Sequence, residues 1–549
     1  MIKNSLLFIS SFIIVALGQP DASSILSLLA SGCGFALFWL ILFSFPQRKT
    51  RFLLSALWFT AVQAVQLSWM ASPEYQGIYI FFVYGALILF LGIEFGLLSL
   101  LFPAKPSLSW KRLLAIAALW TLFEWSRLFI LCGFAWNPIG LSMTAFPISS
   151  QLASVWGIFG LSFWTVFVNL LALRTCIKWS LKQGSIASAA FLFPFLFGFV
   201  HMQYHEGKKK EDQASYHVAL IQTSLLPDQK SYFHEQPGAF VSPYDQWKSI
   251  IKYIEDEGVK TLDLIAMPEY VVPFSARSTI YGYEEVKGIL DFLWEEGEDY
   301  THLLTPTLSE KHELRGKEKW YVNNLFWAQA IADHYGAEVV LGLDDRDEKL
   351  EKSYNAAFHV VPNKKEIKRY EKRILLPLAE YLPFPILKPL IARYGISDFF
   401  THGTKAKVFE GNYPLNISIC YEECFSHAIR EGKLNGAKLF VNVTNDAWYP
   451  FSRLPLKHFE HGKLRAIENG VPLVRACNTG VTAAVDSLGR IVGKLGEGNV
   501  ERQKGALVTT LDLYSYSTIY TYLGDYLIVV LSLIFVGLFI FRKSGRKET

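Results

Sequence analysis

The chain has 549 residues, of which 51% are hydrophobic and 15% aromatic, and its formal net charge is +4. This small, dispersed charge gives no argument for nucleic acid binding, which needs a concentrated basic surface. The six cysteines are too scattered for a disulfide framework, and Cys420 and Cys424, the closest pair, do not form a recognisable zinc-binding set. Residues 1–203 and 524–541 are largely apolar, whereas 204–523 carry most of the charge and read as a globular domain.

Eight apolar segments are candidates for transmembrane helices, since one span needs about 20 mostly apolar residues. They lie near residues 5–18, 22–45, 53–72, 78–103, 113–131, 153–173, 185–202 and 524–541. We therefore expect seven spans in 1–203, and an eighth span with a basic tail in 524–549. The first segment could instead be a cleaved signal peptide, because Lys3 precedes a short apolar run that ends at Gly18-Gln19-Pro20.

Lysine and arginine residues occur in every second loop between these segments. They follow the second, fourth, sixth and eighth segments, and they are missing from the short loops after the first, third and fifth. Short cytoplasmic loops carry the excess of positive residues. The pattern predicts that both termini are cytoplasmic and that 204–523 is extracytoplasmic. Lysines 208–210 weigh little against this topology, because a long domain is translocated largely regardless of charge.

Glu94, Glu124 and Arg127 stand out inside the apolar segments, where charged residues are candidates for function. Glu124 and Arg127 are three residues apart on one predicted helix, so they can pair with each other. Glu94 lies on another segment. A structural ion pair and a substrate site are both compatible with this pattern.

The globular part alternates short β-rich runs with helical patterns. The β-rich runs are 217–224, 262–267, 338–343, 356–361, 415–420, 438–443, 472–477 and 506–512, and the helical patterns are 245–257, 323–335, 423–432 and 458–469. Interleaved strands and helices predict an α/β domain. The region contains neither a GxGxxG nor a P-loop motif, which argues against nucleotide binding.

Three polar residues stand where β-rich runs end. Glu269 closes LIAMPE, Lys372 follows the 356–361 run, and Cys420 ends LNISIC. Catalytic groups of α/β sheets gather at the carboxyl ends of strands. A cysteine nucleophile needs a base for its proton and a positive group for the developing charge, and Glu and Lys can supply these. Taken alone, Cys420 could equally be a small buried residue, and the other two could be surface charges.

Several motifs of the chain resemble those of a known protein family. MPEY, YEKRILLPLAEYLP and CYEE resemble the motifs that carry the Glu-Lys-Cys triad of nitrilases, at Glu269, Lys372 and Cys420. The narrower resemblance lies in four further stretches: FEWSRLFILCGFAWNPIGLS, QLASVWGIFGLSFW, NVTNDAWY and HGKLRAIENGVPLVRACNTGVTAAVD. Together these motifs resemble the apolipoprotein N-acyltransferases, a membrane-embedded branch of the nitrilase superfamily. The resemblance implies a nitrilase-like αββα sandwich at 204–523.

The resemblance also implies a ping-pong acyl transfer in a bacterial inner membrane, with the catalytic domain on the periplasmic side. The implied donor is a phospholipid, typically phosphatidylethanolamine, and the acceptor is the N-terminal amine of a diacylglyceryl-cysteine apolipoprotein. Cys420 would form the thioester, Glu269 would be the base and Lys372 would stabilise the oxyanion. The thioester carries the chemistry without a cofactor or metal, and we expect a monomer in the bilayer.

The same resemblance implies five supporting residues. The Tyr421 N–H would be a second oxyanion donor, Glu380 and Glu422 would orient the lysine and the thiol, and Trp448 and Tyr449 would lie near the acyl pocket. The chain departs from the usual LVPFGE and NDAWFG motifs, because Leu378-Ala379 and Pro450 stand at their glycine-containing positions. The departures leave the loop shapes and the acyl preference open.

Three other functions are compatible with parts of the sequence. A membrane-anchored nitrilase-type amidase or hydrolase would use the same triad but needs only one helix. A transporter should show symmetric halves with broken helices, which the sequence lacks. A lipid-binding scaffold would not need all three polar side chains of the triad.

Overall fold

The computed structural model describes residues 2–209, 215–230, 239–259, 261–295, 297, 299–314, 317–347, 350–364, 366–383, 399–496 and 502–544. The chain divides into two compact units, each assembled from separate stretches. The helical unit consists of Met1–Lys210, Tyr449–Gly470 and Tyr516–Thr549. The sheet unit consists of Glu211–Trp448 and Val471–Ser515. Residues 449–470 and 516–523 are thus grouped with the helical unit, although they lie inside the segment 204–523 that the sequence pattern treats as one domain.

The helical unit is built from helices over the apolar segments. Its helices are Ile2–Ala16, Ser24–Leu29, Phe35–Leu42, Arg48–Gln66, Ile80–Ser99, Trp110–Ser126, Pro147–Ser150, Ala153–Ile177, Leu181–Glu206, Leu454–Asn469, Ile519–Leu523 and Tyr526–Ser544. A helix overlaps each of the eight predicted spans.

Within the described ranges, four helical stretches are both long and apolar enough to cross a membrane, which identifies a membrane protein. They are Ser24–Leu42, Ile80–Ser99, Ala153–Ile177 and Leu181–Glu206. Asn4–Ala16 and Tyr526–Phe541 are apolar but shorter. The count of eight spans therefore stays a prediction.

The charged residues of the apolar segments pair differently from the expectation. Arg127 donates from Nη2 and Nε to Glu94 Oε2 at 2.6 and 2.8 Å. Glu124 instead accepts from the Trp120 indole at 2.7 Å and from the Ile139 N–H at 2.8 Å. The α-helix ends at Ser126 and Arg127 begins a 3₁₀ turn, so the two residues do not share a regular helix face. Of the two carboxylates, Glu94 thus forms the ion pair with Arg127, and this pair joins two helices.

One apolar helix of this unit is interrupted near its start. Within Ala153–Ile177, Gly157 has a φ of 64°, and a Cβ at this position would lie 2.3 Å from the Tyr520 ring. Glycine is required there for both reasons. Glu468 of the helix Leu454–Asn469 accepts the Ile158 N–H at 2.9 Å. A carboxylate thus caps the helix after the break.

The sheet unit contains two six-stranded sheets. The strands of the first are β1 Ser215–Gln222, β2 Leu264–Ala266, β6 Glu338–Asp347, β7 Lys352–Val360, β8 Lys368–Glu371 and β15 Gly505–Asp512, and its order is β15-β1-β2-β6-β7-β8. Those of the second are β9 Val408–Phe409, β10 Leu415–Ile419, β11 Leu439–Thr444, β12 Leu473–Cys477, β13 Ala483–Val485 and β14 Ile491–Lys494, in the order β14-β13-β12-β11-β10-β9. Strands β1, β2 and β6 are parallel, as are β10, β11 and β12.

Side-chain alternation along the strands explains the layers. Val218 and Leu220 of β1 join a core with residues of both sheets, whereas Ala219 and Ile221 join a second core with the helices Pro243–Glu255 and Asn324–Tyr335. The remaining helices of this unit are Pro227–Lys230, Tyr283–Trp294 and Ser426–Leu434. The α/β sandwich predicted from the sequence is therefore confirmed.

The segment 275–325 contains a small three-stranded sheet. Its strands are β3 Tyr281–Gly282, β4 Ser309–Leu314 and β5 Lys317–Val322, in the order β3-β5-β4. Strands β8, β9, β13 and β14 were also not predicted, because they are only two to four residues long.

Candidate active site

Three strands of the sheet unit deliver the expected catalytic set. Glu269 lies three residues after β2, Cys420 immediately follows β10, and Lys372 immediately follows β8. The sequence pattern placed Lys372 at the end of the preceding β-rich run, 356–361, and this placement is wrong. The short strand β8 pairs antiparallel with β7, so the chain runs back along β7. Lys372, the residue after β8, therefore lies beside β7 rather than beyond its end.

The three side chains meet in a buried cluster. The Lys372 ammonium donates to Glu269 Oε1 at 3.2 Å and to Glu380 Oε1 at 2.8 Å. The Cys420 thiol is hydrogen-bonded to the Glu269 carboxylate. Lys372 is only 1% exposed and Glu269 only 3%. An ammonium and two carboxylates tolerate such burial because each is paired and hydrogen-bonded.

Asn355 is a member of this cluster that the sequence analysis missed. Its side-chain Nδ2 donates to Glu269 Oε1 and to Glu380 Oε1, at 2.7 Å in each case. Its main-chain carbonyl accepts the Lys372 N–H at 2.9 Å. The available signal was an asparagine inside the buried strand β7, because the three residues that follow it in the strand are apolar.

Burial and the neighbouring opposite charges shift the pKa values of this cluster in opposite directions. Burial raises the pKa of the Glu269 carboxyl; Lys372 opposes this shift and Glu380 adds to it. Burial and Glu269 raise the pKa of the Cys420 thiol well above its usual value, against the effect of Lys372. Burial alone would lower the pKa of Lys372, but Glu269 and Glu380 raise it well above its usual value. The resting state is therefore a thiol beside a cationic lysine, and the thiol needs a base to react.

The backbone around Cys420 forms a tight strand-to-helix turn. Cys420 has a φ of 52°, in the left-handed region that a side chain other than glycine rarely adopts. It begins the 3₁₀ helix Cys420–Cys424, which places Tyr421 in the first turn of that helix. Strained backbone at such a position persists only where the surroundings hold it.

Glu422 supplies part of that support. Its carboxylate accepts the main-chain N–H groups of Ile419 at 2.8 Å and Arg373 at 2.6 Å. It also accepts the Tyr370 hydroxyl at 2.9 Å. Glu422 therefore links the turn at Cys420 to the segment that follows Lys372.

The predicted aromatic pair is divided between the two units. Trp448 is the last residue before the sheet unit is interrupted, and its side chain is 42% exposed. Tyr449 belongs to the helical unit, where its ring packs edge-on against Trp69 with centroids 5.1 Å apart. Among the residues described, no group of three or more His, Cys, Asp or Glu side chains is arranged to hold a metal ion.

The geometry has counterparts among known proteins. A family model named carbon-nitrogen hydrolase matches residues 235–519, in agreement with a nitrilase-like α/β sandwich. A second model, the apolipoprotein N-acyltransferase N-terminal domain, matches residues 13–171. Along the chain, the second match covers the first apolar helices, and the first match then covers most of the sheet unit.

Full-length relatives carry both parts. An apolipoprotein N-acyltransferase of Chlamydia caviae is 34% identical over 98% of this chain and 98% of its own length. One of Chlamydia trachomatis serovar D is 33% identical over 98% and 97%, and one of Shewanella oneidensis is 28% identical over 79% and 75%. Because the similarity extends from the apolar helices through the catalytic sandwich, this chain belongs to the apolipoprotein N-acyltransferase family.

Proposed function

We propose that Cys420, Glu269 and Lys372 catalyse transfer of an acyl chain from a phospholipid to the N-terminal amine of a diacylglyceryl-cysteine apolipoprotein. Membership of the family supports the reaction class. The observation that supports the residue assignment is the buried contact of Lys372 with Glu269. The Cys420 thiol is hydrogen-bonded to the same carboxylate.

The first half-reaction forms the thioester. Glu269 accepts the thiol proton while Cys420 Sγ attacks the carbonyl carbon of the phospholipid ester. The resulting oxyanion is stabilised by the Lys372 ammonium and the Tyr421 N–H. The intermediate collapses, the carbon–oxygen bond of the ester breaks, and Glu269 returns the proton to the leaving lysophospholipid alkoxide.

The second half-reaction consumes the thioester. The neutral α-amine of the acceptor attacks the thioester carbonyl, and Glu269 takes a proton from the attacking nitrogen. Collapse breaks the carbon–sulfur bond, and the proton goes to the leaving Cys420 thiolate. The products are an amide and the regenerated thiol, so the cycle balances without a metal or a cofactor.

Glu380 and Glu422 support the cluster in this scheme, whereas Trp448 and Tyr449 line the approach of the acyl chain. Glu380 shares the Lys372 ammonium with Glu269 and is held by the Leu376 N–H at 2.8 Å. The phospholipid would be phosphatidylethanolamine and the enzyme a monomer.

The placement in the cell follows from the charged loops. The chain would cross the bacterial inner membrane eight times, with both termini cytoplasmic. Residues 1–203 would supply seven spans and 524–549 the eighth with its basic tail. Residues 204–523 would then act on the periplasmic side, where both lipid substrates are available.

Trapping the thioester tests the proposal directly. The full-length protein in detergent, given phospholipid with a labelled acyl chain and no acceptor, should accumulate a hydroxylamine-sensitive adduct. Cys420→Ala should form none, and Glu269→Gln and Lys372→Met should form it at least about 100-fold more slowly. Exposed residues of the same unit provide the matched controls Glu410→Gln and Lys405→Met, which should behave as wild type.

The acceptor separates the transferase from a hydrolase. A diacylglyceryl-cysteine peptide should discharge the adduct into an amide that hydroxylamine does not cleave. Normal adduct formation in Glu269→Gln and Lys372→Met would contradict the assigned roles. Discharge of the adduct only to free fatty acid would replace the transferase with the hydrolase alternative.

A further inference from the structure

A second buried lysine, Lys230, contacts the turn that follows Glu269. Lys230 ends the short helix Pro227–Lys230 and is only 6% exposed. Its ammonium donates to the main-chain carbonyl of Tyr270 in a short hydrogen bond, and to that of Val271 at 3.4 Å. The reaction scheme above uses neither Lys230 nor these carbonyls.

The turn that Lys230 contacts is strained at its first residue. Tyr270 has a φ of 48°, a conformation that glycine adopts easily and tyrosine does not. Strand β6 holds one side of this turn, because the Gly342 carbonyl accepts the Val271 N–H at 2.9 Å. A Cβ at Gly342 would lie 2.6 Å from Glu269 Cα, so the backbones are in close contact there. The hydrogen bond from Lys230 fixes the carbonyl of the strained residue itself.

The charge of Lys230 also acts on Glu269. Burial lowers the pKa of the Lys230 ammonium to about 7, although Glu269 opposes the shift. Besides burial, the largest effects on the pKa of Glu269 come from Lys372, Glu380, Asn355 and the Cys420 thiol. Lys372 is shared between two carboxylates, which leaves room for a second cation to influence the base.

We propose that Lys230 is a positioning residue for Glu269, which holds the turn at Tyr270 and Val271 and keeps the neighbouring carboxylate ionised. The proposal rests on the proposed role of Glu269 as the general base. A hydrogen bond to the turn fixes the direction of the Glu269 side chain toward the thiol. A cation close to the carboxylate favours its charged form, which is the form that accepts the thiol proton.

Three variants of the full-length protein separate the charge from the hydrogen bond. Lys230→Met removes both, Lys230→Gln keeps a donor without the charge, and Lys230→Arg keeps the charge. The rate of thioester formation from labelled phospholipid is measured between pH 5 and 9, together with the melting temperature. Lys433→Met is the matched control, because burial also lowers the pKa of that lysine, to about 8.

Loss of the cation should raise the pKa of Glu269 and move the acid limb of the pH–rate profile to higher pH. We expect this shift in Lys230→Met and Lys230→Gln, with Lys230→Arg and Lys433→Met at the wild-type position. Lys230→Met should also be at least about tenfold slower at its optimum, since misplacing a general base forfeits part of the 100- to 10,000-fold that it supplies.

A purely structural role would lower the melting temperature without moving the acid limb, and this result would overturn the proposal. Should Lys230→Met not fold, the profile of Lys230→Gln decides alone. Normal thioester formation by Glu269→Gln would overturn both the assignment of the base and the role of Lys230. Loss of the thioester in Glu269→Gln, combined with wild-type profiles in all Lys230 variants, would overturn only the latter.

Discussion

The carboxylate of Glu422 accepts the main-chain N–H of Arg373 at 2.6 Å. Arg373 directly follows Lys372, and Glu422 stands two residues after Cys420. A single buried carboxylate therefore sets the distance between the segment of Lys372 and the segment of Cys420.

Replacing Glu422 should disturb both segments at once. In Glu422→Gln, an amide NH₂ meets main-chain donors that need an acceptor, which costs about 1–3 kcal/mol for each buried group left unsatisfied. We expect thioester formation to slow by about 10- to 100-fold, with a lower melting temperature. The control Glu431→Gln removes only the half-exposed ion pair on the Arg373 guanidinium. It should change the rate by less than about twofold, and an equal loss in both variants would contradict the role of Glu422.

Asn355 should set the pH range in which the base works. Its amide donates to the charged form of Glu269, so the leucine variant Asn355→Leu should raise the pKa of that carboxyl. The base would then be protonated over a wider range, and the acid limb of the pH–rate profile should move to higher pH. The profile of thioester formation is compared with that of Asn435→Leu, an exposed asparagine of the same unit. An unmoved limb would show that Asn355 does not act on the base.

Labelling of single cysteines tests the predicted topology. In a background without native cysteines, Glu74→Cys and Phe292→Cys should react with a membrane-impermeant thiol reagent added to sealed right-side-out vesicles. Ser107→Cys should react only after permeabilisation, because it lies in a loop that follows an even-numbered segment. All three positions are exposed, so accessibility within the protein does not limit the reaction. Labelling of position 107 in intact vesicles would contradict the assignment of sides.

The cap on the interrupted helix should contribute to stability. Glu468→Gln places an amide opposite the Ile158 N–H and the Arg465 guanidinium, which lies 3.2 Å from Glu468 Oε1. We expect a loss of about 1–3 kcal/mol, seen as a lower melting temperature of the protein in detergent. Glu460→Gln on the same helix, which loses a pair with Lys463, is the control and should change less. Equal melting temperatures for both variants would contradict the capping role.

Local, periodic signals predicted the α/β organisation of the globular part, whereas the sandwich and the cluster were implied by the family resemblance. The eight longer β-rich runs all correspond to strands, and Cys420 stands at the end of β10 as expected. Strand β8 was missed because four residues give no periodicity, so the approach of Lys372 was misassigned. Asn355 and Lys230 were missed for another reason: their partners Glu269, Glu380 and Tyr270 are distant in sequence, and only the fold brings them together.

The helix Leu454–Asn469 has a practical consequence for isolating the catalytic part. Strands β11 and β12 are adjacent in the sheet, yet the chain between them leaves the sheet unit at Tyr449 and returns at Val471. Within this excursion, Lys457 is 1% exposed and forms an ion pair with Asp21 at 3.1 Å. A fragment limited to residues 204–523 would keep this crossover but lose residues that pair with its charges, such as Asp21. Soluble expression for ligand screening would therefore require redesign of the crossover surface, and removal of the spans alone would yield an aggregating product.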